Sequence, residues 1–185
     1  MLKSILSLSL VFSLFVLSSG LKAQDNQTRY HLTAYGSIAN HNETPFWMVS
    51  NQWGVVPLKS GNGYGRAGVF HNQRFSNGFS WGGEVNLVLA APRDKKVYIQ
   101  QLYLQAQYKS VRLSIGSAER NASLINNRLS SGDMVHSTNA RPIPEVNISI
   151  PQFLSIPFTQ DWLQFKGDFA VGRSFDSGYL KDYTS

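Results

Sequence analysis

The segment Val97–Tyr108 alternates apolar and polar side chains, and this alternation constrains the fold more than any other feature of the chain. Its even-numbered positions carry Tyr98, Gln100, Leu102, Leu104, Ala106 and Tyr108, and its odd-numbered positions from residue 101 onward carry Gln101, Tyr103, Gln105 and Gln107. Because successive side chains of a strand point to opposite faces, we expect one apolar and one wet face. From Tyr98 to Tyr108 such a strand spans roughly 33 Å, which matches the apolar band of a transmembrane β-barrel with aromatic rings at both borders. A half-buried strand of a soluble β-sandwich shows the same alternation.

The same alternation recurs along the chain. Apolar faces are formed by Tyr30, Leu32, Ala34, Gly36 and Ile38, by Phe79, Trp81, Gly83, Val85, Leu87 and Leu89, by Val111, Leu113 and Ile115, and by Leu163, Phe165, Gly167, Phe169 and Val171. Segment 65–75 is weaker, because Arg66 and Arg74 share a face with Phe70. Most of these segments exceed the roughly five or six residues of an average strand. The pattern therefore favours an all-β transmembrane barrel over a soluble sandwich.

The amino terminus has the layout of a secretory signal peptide. A basic start at Lys3 is followed by the apolar run 5–17 and a short stretch that ends at Ala23. That run is shorter than the roughly 20 residues that a spanning helix needs. We therefore expect a signal peptide over residues 1–23, a barrel domain over residues 24–185, and export to the outer membrane.

Charge and motif content exclude several classes of function. Without the two lysines of the expected signal peptide, the formal charge falls from +6 to +4 and is spread along the chain, so no nucleic-acid partner is expected. This excess suits an acidic polysaccharide or lipopolysaccharide phosphates, although ordinary surface charge is the simpler explanation. There is no cysteine, and His31, His41, His71 and His136 lack metal-ligand spacing. No catalytic or phosphate-binding motif is present, so we expect no enzyme, metal or cofactor.

Polar breaks between the strands predict which connections share a side of the membrane. The breaks at 76–78 and 109–110 are short, whereas 91–96 is a longer polar loop. Outer-membrane barrels have short periplasmic turns and longer external loops. We therefore expect 76–78 and 109–110 on the periplasmic side and 91–96 outside, with a long insert over 117–161 that begins outside.

Residues 40–64 interrupt the strand pattern with a predicted short helix. Thr44 is a good N-cap, Pro45 suits the first helical position, and Gly54 suits the exit. One face of that helix would carry Phe46, Val49, Ser50 and Trp53. Core packing is expected for most of these aromatic side chains. A platform on which sugar rings stack is the alternative for Trp47 or Trp53.

The segment 129–157 is rich in proline, at Pro142, Pro144, Pro151 and Pro157. This spacing predicts an irregular loop or an internal plug rather than a central strand or a helix. Arg141 lies within this segment, together with Asp133 and Glu145. We expect Arg141 to form a structural ion pair there. The alternative places it in the lumen, where it contacts carboxylates of a polysaccharide.

Three separated motifs support a family resemblance. They are the runs 45–57 (PFWMVSNQWGVVP), 129–134 with 139–145 (LSSGDM and NARPIPE), and 162–175 (WLQFKGDFAVGRSF). These runs resemble Wzi-type capsule assembly proteins of Gram-negative bacteria, and the likeness extends over residues 30–180. The resemblance implies an outer-membrane barrel of about eighteen strands, within the usual range of such barrels. It also implies a non-enzymatic protein that binds capsular polysaccharide and helps to attach it to the cell surface.

The candidate strands are fewer than such a barrel requires. About six or seven are present, without a final amphipathic strand or a terminal aromatic residue, and an open sheet edge is costly in lipid. We therefore expect an incomplete antiparallel transmembrane barrel with a short helix and a proline-rich loop or plug, as the amino-terminal part of a longer protein. Its expected partners are capsular polysaccharide and outer-membrane lipid. A porin-like channel and a soluble secreted β-sandwich lectin are the alternatives.

Overall fold

The computed structural model describes residues 26–38, 42–91, 97–120 and 137–174, and the expected signal peptide lies outside these ranges. The described residues form one antiparallel sheet whose seven strands follow each other in chain order. The strands are β1 (Asn26–Ser37), β2 (Asn62–Arg74), β3 (Phe79–Ala91), β4 (Val97–Tyr108), β5 (Val111–Ser117), β6 (Glu145–Ser155) and β7 (Gln164–Gly172). The predicted all-β antiparallel architecture is confirmed. The sheet is not closed, because β1 and β7 each keep an unpaired edge within the described ranges.

The two ends of the sheet carry connections of different length. One end, here the long-connection end, carries 38–61 between β1 and β2 and 118–144 between β5 and β6. The other, the short-turn end, carries 75–78, 109–110 and 156–163. The Lys109 N–H donates a hydrogen bond to the Gly78 carbonyl oxygen (2.9 Å), so the two tight turns touch. The predicted grouping of 76–78 with 109–110 at one end is confirmed, whereas their periplasmic side and the external side of 91–96 stay predictions.

One face of the sheet is apolar and exposed in every strand. Directly paired residues on this face include Leu32, Ala67, Leu87 and Ile99 in one row and Trp81, Ala106, Leu113, Ile148 and Phe169 in another. Leu104, near the middle of the sheet, is 66% exposed. The opposite face carries the polar side chains and the buried residues. The apolar faces predicted for β1, β3, β5 and β7 are confirmed, because strict alternation holds in these strands.

The strand β4 departs from the predicted alternation. Its register against β3 shifts so that Gln100 has no partner, which is a β-bulge. Gln100 and Gln101 are both buried on the polar face, at 1% and 6% exposed. The apolar face of β4 carries Val97 and Ile99 before the bulge and Leu102, Leu104, Ala106 and Tyr108 after it. The predicted ladder with a tyrosine at each end is therefore wrong, since Tyr98 lies on the polar face.

The proline-rich segment contains a strand that the sequence had argued against. The strand β6 pairs with β5 on one side and with β7 on the other. Pro151 lies where the register between β6 and β7 shifts, between Ile150 and Leu154. Its missing N–H therefore falls in an irregular part of the ladder, where proline is tolerated. The predicted insert 117–161 is wrong as one unit: the long connection is 118–144, and 156–163 is a separate turn.

The predicted helix is reduced to one turn, α1 (Phe46–Val49). The Thr44 side chain does not cap it, and its hydroxyl donates to the Pro57 carbonyl oxygen (3.0 Å). Trp53 and Gly54 both have a positive φ, at 53° and 63°, so Trp53 is not on a helix face. Phe46 is exposed, so its predicted core packing is wrong. None of the helices among the described residues has the length and apolar character needed to cross a membrane.

A small core lies on the polar face at the long-connection end. Its buried members are Val55, Val88, Ala90 and Tyr98, with Tyr64 packed against them. Val55 belongs to the connection between β1 and β2, whereas the others belong to β2, β3 and β4. Burial of these apolar groups therefore holds the connection against the sheet.

Candidate binding surface on the polar face

Polar side chains from several strands meet on the polar face at the long-connection end. Glu119, just after β5, accepts hydrogen bonds from Arg66 of β2 (2.8 Å) and Gln100 of β4 (2.9 Å). The Glu119 N–H donates to Gln101 Oε1 (2.9 Å), and Gln101 Nε2 donates to Glu84 of β3 (3.1 Å). The bulge in β4 makes this possible, because it turns both glutamines toward the same side.

Glu84 is the second acceptor of this network. It accepts from the Asn86 amide (3.2 Å) and the Tyr103 hydroxyl (3.3 Å). The Asn86 amide nitrogen also lies 2.6 Å from His31 Nε2, and its carbonyl oxygen accepts from Arg66 Nε (3.0 Å). Asn86 is fully buried. Since buried polar groups are stable only when they are hydrogen-bonded, these contacts hold the side chains in one arrangement.

A second cluster joins the last two strands and extends from Glu145, at the long-connection end, to Asp168 in the middle of β7. Arg120 forms an ion pair with Glu145 of β6, and its Nη1 lies 3.8 Å from the Asp168 carboxylate of β7. The Asn147 amide also donates to Asp168 (3.3 Å). Arg66 and Arg120 are therefore both ion-paired, with Glu119, Glu145 and Asp168 as their acidic partners.

The structure gives Arg141 a different role from the predicted ion pair. Its guanidinium lies 4.2 Å from the centre of the Tyr98 ring and donates to the Ile99 carbonyl oxygen (3.0 Å). Glu145 pairs with Arg120, so an ion pair between Arg141 and Glu145 is not formed. The other candidate partner, Asp133, lies outside the described residues. Arg141 thus covers the part of β4 that extends beyond the end of β5.

Trp53 contacts the same stretch of β4 through its main chain. Its N–H donates to the Thr138 carbonyl oxygen (2.6 Å), and its carbonyl oxygen accepts from Gln100 Nε2 (3.1 Å). The structure therefore brings Trp53 and Arg141 together. Trp47 is 73% exposed on α1 and has no ring contact with either of them in the described part of the chain.

A cleft of 210 Å³ opens on the polar face at the short-turn end. Its polar and aromatic lining includes Phe70, Asn72, Arg74, Gln105, Gln107 and Arg112. Both Nε and Nη2 of Arg112 donate to Gln107 Oε1 (3.1 and 3.0 Å). Sequence reasoning missed this site. The available signal was the shared face of Arg74 and Phe70 in segment 65–75, but the position of Arg112 depends on the register of four strands.

Comparison of the chain with protein-family models, curated proteins and solved structures found no match. The resemblance to capsule assembly proteins therefore stays a prediction. Across the ranges that the structure describes, no three His, Asp or Glu side chains come together in a group that could hold a metal ion. The polar face carries amides, arginines and carboxylates together with the His31 and Tyr103 side chains.

Proposed function

We propose that this sheet is part of an outer-membrane β-barrel, with its apolar face against lipid and its polar face toward the lumen. The observation that carries the proposal is the exposed apolar face that runs through all seven strands. Soluble monomers rarely expose contiguous apolar patches larger than a few hundred Å². Antiparallel pairing between consecutive strands, with short turns at one end and long connections at the other, also suits such a barrel.

Strand length and aromatic placement favour lipid over a second protein layer as the cover. A transmembrane strand needs about 9–11 tilted residues, and β2, β3, β4 and β6 all reach this length. Trp81 and Tyr108 lie on the apolar face near the short-turn end, where an interfacial aromatic girdle is expected. In lipid the free edges of β1 and β7 would each leave unsatisfied backbone groups. The proposed barrel therefore requires further strands to pair them.

We further propose that the barrel holds capsular polysaccharide at the cell surface and has no enzymatic activity. The sequence motifs at 45–57, 139–145 and 162–175 support this function through their family resemblance. The polar face supports it through a dense set of amides and arginines, which are suited to the hydroxyl and acidic groups of sugars.

Deletion of the gene in an encapsulated host tests this function. We expect capsule to be released into the medium and the plasmid-borne gene to restore its retention. Carbonate washing of membranes should leave the protein in the outer-membrane fraction. Full retention of capsule in the deletion strain, or recovery of the protein in the aqueous fraction, would contradict the proposal.

A porin-like channel is the second candidate, because the polar face would also suit a water-filled lumen. The core around Val55 and Tyr98 argues against an open pore, since it occupies the polar face at the long-connection end. Reconstitution in planar bilayers separates the two candidates. A steady conductance would favour the channel.

A further inference from the structure

We propose that the cleft at the short-turn end binds the carboxylate of an acidic sugar unit between Arg74 and Arg112. The inference rests on the proposed function and deepens it, because it names the class of polysaccharide. It also places the contact at the short-turn end, which is the expected periplasmic side, and so at the opposite end of the sheet from Trp53 and Arg141.

The register of four strands places the two arginines on either side of the cleft. Arg74 pairs with Ser80, Ser80 pairs with Gln107, and Gln107 pairs with Arg112. Since neighbouring strands lie about 4.8 Å apart, the two arginine backbones are separated by about 14 Å. The short Ser80 side chain between them leaves room above the sheet for a ligand.

Gly82 is buried between two lining residues of the cleft, because it pairs with Asn72 of β2 and with Gln105 of β4. A Cβ atom at this position would lie 2.6 Å from the His71 carbonyl oxygen and 3.0 Å from Asn72 Oδ1. Both distances are shorter than normal contacts. Glycine at this position therefore lets β2 and β3 approach closely and leaves no side chain in the cleft.

The charges of the cleft are not neutralised within the described residues. Neither Arg74 nor Arg112 forms an ion pair there, in contrast to Arg66 and Arg120 at the other end. No carboxylate lines the cleft in that part of the chain. Asp168 lies in the same register row, two strands beyond Arg112, but it is held by Arg120 and an amide.

Among the described residues, Arg112 uses only part of its hydrogen-bonding capacity, so further donors are available to a ligand. A guanidinium has five N–H donors, and Gln107 Oε1 receives only one from Nε and one from Nη2. The contact with Gln107 also orients the planar group, which reduces the ordering needed when a carboxylate binds. The donors that Gln107 does not receive lie in the same plane of the guanidinium. A carboxylate matches such a planar pair of donors best, because it accepts two parallel hydrogen bonds.

The remaining lining suits a sugar better than a bare anion. The amides of Asn72, Gln105 and Gln107 offer donors and acceptors for hydroxyl groups. The Phe70 ring also lines the cleft, and the Arg29 guanidinium lies 4.8 Å from its centre. The volume of 210 Å³ is below the roughly 300–1,000 Å³ of sites for drug-sized ligands. The cleft therefore fits one sugar unit of a chain.

Calorimetric titration of the intact protein, extracted from the outer membrane into detergent micelles, tests this inference. The probes are oligogalacturonate, a neutral malto-oligosaccharide of equal length, and inorganic phosphate. We expect oligogalacturonate to bind at least about tenfold more tightly than the other two, and Arg112→Gln to weaken it about tenfold or more. Arg74→Gln should weaken it in the same direction. The control Arg173→Gln, which removes the same charge beyond β7, should leave the affinity within twofold.

Three results would overturn the inference: equal affinity for the neutral and acidic probes, unchanged affinity in both arginine variants, or phosphate binding as tight as that of oligogalacturonate. Arg112→Lys guards against a folding defect, because it keeps the charge and loses the planar fork. It should bind between wild type and Arg112→Gln. Failure of the proposed function can be distinguished from failure of this inference. It would appear as capsule retention in the deletion strain or as a water-soluble protein, and neither result depends on which probe binds the cleft.

Discussion

The two ends of the polar face differ in how their charges are satisfied. At the long-connection end, Arg66 and Arg120 are paired with acids, and a buried core covers the sheet. At the short-turn end, Arg74 and Arg112 line an open cleft without an acid among the described residues. The same strands run through both ends, so the difference comes from the β-bulge in β4 and from the connections. Long connections supply groups such as Glu119 that fold back onto the sheet, whereas the tight turns 75–78 and 109–110 contain no acidic residue.

The largest expected effect comes from removing the acceptor at the centre of the paired end. Glu119→Ala leaves Arg66 and Gln100 without their carboxylate partner. Loss of one partner of a buried pair costs roughly 3–5 kcal/mol, and we expect about 2–3 kcal/mol here because the pair is partly exposed. The Arg66 and Glu119 side chains are 20% and 13% exposed. Urea unfolding in detergent micelles measures this loss.

The matched control is Glu43→Ala, which removes an exposed glutamate from the same end of the sheet. Its effect should stay within about 0.5 kcal/mol, as for most surface substitutions. If both variants lose the same stability, the paired network does not distinguish this end of the molecule.

The next largest effect tests how the connection between β1 and β2 is held. Asn62 Nδ2 donates to Thr44 Oγ1 (2.7 Å) and to the carbonyl oxygen of Lys59 (2.7 Å). Asn62→Leu leaves these acceptors buried without their donor, which costs about 1–3 kcal/mol. We also expect faster proteolysis within 42–61, since the segment loses its attachment. Unchanged proteolysis would show that the core around Val55 is sufficient to hold the connection.

Arg141 provides a smaller effect that separates a structural role from a ligand-binding role. Arg141→Ala removes the contact with Tyr98 and the hydrogen bond to Ile99, for a loss of about 1 kcal/mol. Arg141→Lys should recover part of it, because an ammonium also binds an aromatic face. Oligogalacturonate affinity should stay within twofold in both variants. A tenfold loss of affinity would instead support the lumenal sugar contact considered from the sequence.

Local sequence was sufficient for most of the sheet, because alternation is a property of neighbouring residues. It correctly predicted that Val85, Leu113 and Phe169 lie on the apolar face of the sheet. It failed at Gln100, where a bulge is favoured by partners that are distant in the chain. One of these is Glu119, which accepts the Gln100 amide hydrogen bond. The number of prolines predicted that no strand forms at β6. That prediction was wrong because Pro151 falls at a register shift, which the number of prolines does not reveal.

The candidate site was harder to predict than the fold for a related reason. Proximity in sequence suggests Asp133 or Glu145 as the ion-pair partner of Arg141, but the fold brings Arg120 to the Glu145 carboxylate. Arg74 and Arg112 are far apart in sequence and become neighbours across the cleft only when four strands are aligned. Such a site depends on the pairing register of several consecutive strands, and the alternation pattern of one strand does not predict that register.

The smallest expected effect on stability belongs to Arg74→Gln at the open end. Arg74 is exposed and has no ion pair among the described residues, so its loss should change the free energy of unfolding by less than about 0.5 kcal/mol. The same variant should weaken binding of acidic sugar. Urea unfolding in micelles gives the free energy of unfolding of this variant and of Glu119→Ala, so the two ends of the polar face can be compared directly. A destabilisation above about 1 kcal/mol would mean that Arg74 has a structural partner, and the contrast between a paired end and an end left open for ligand would then be lost.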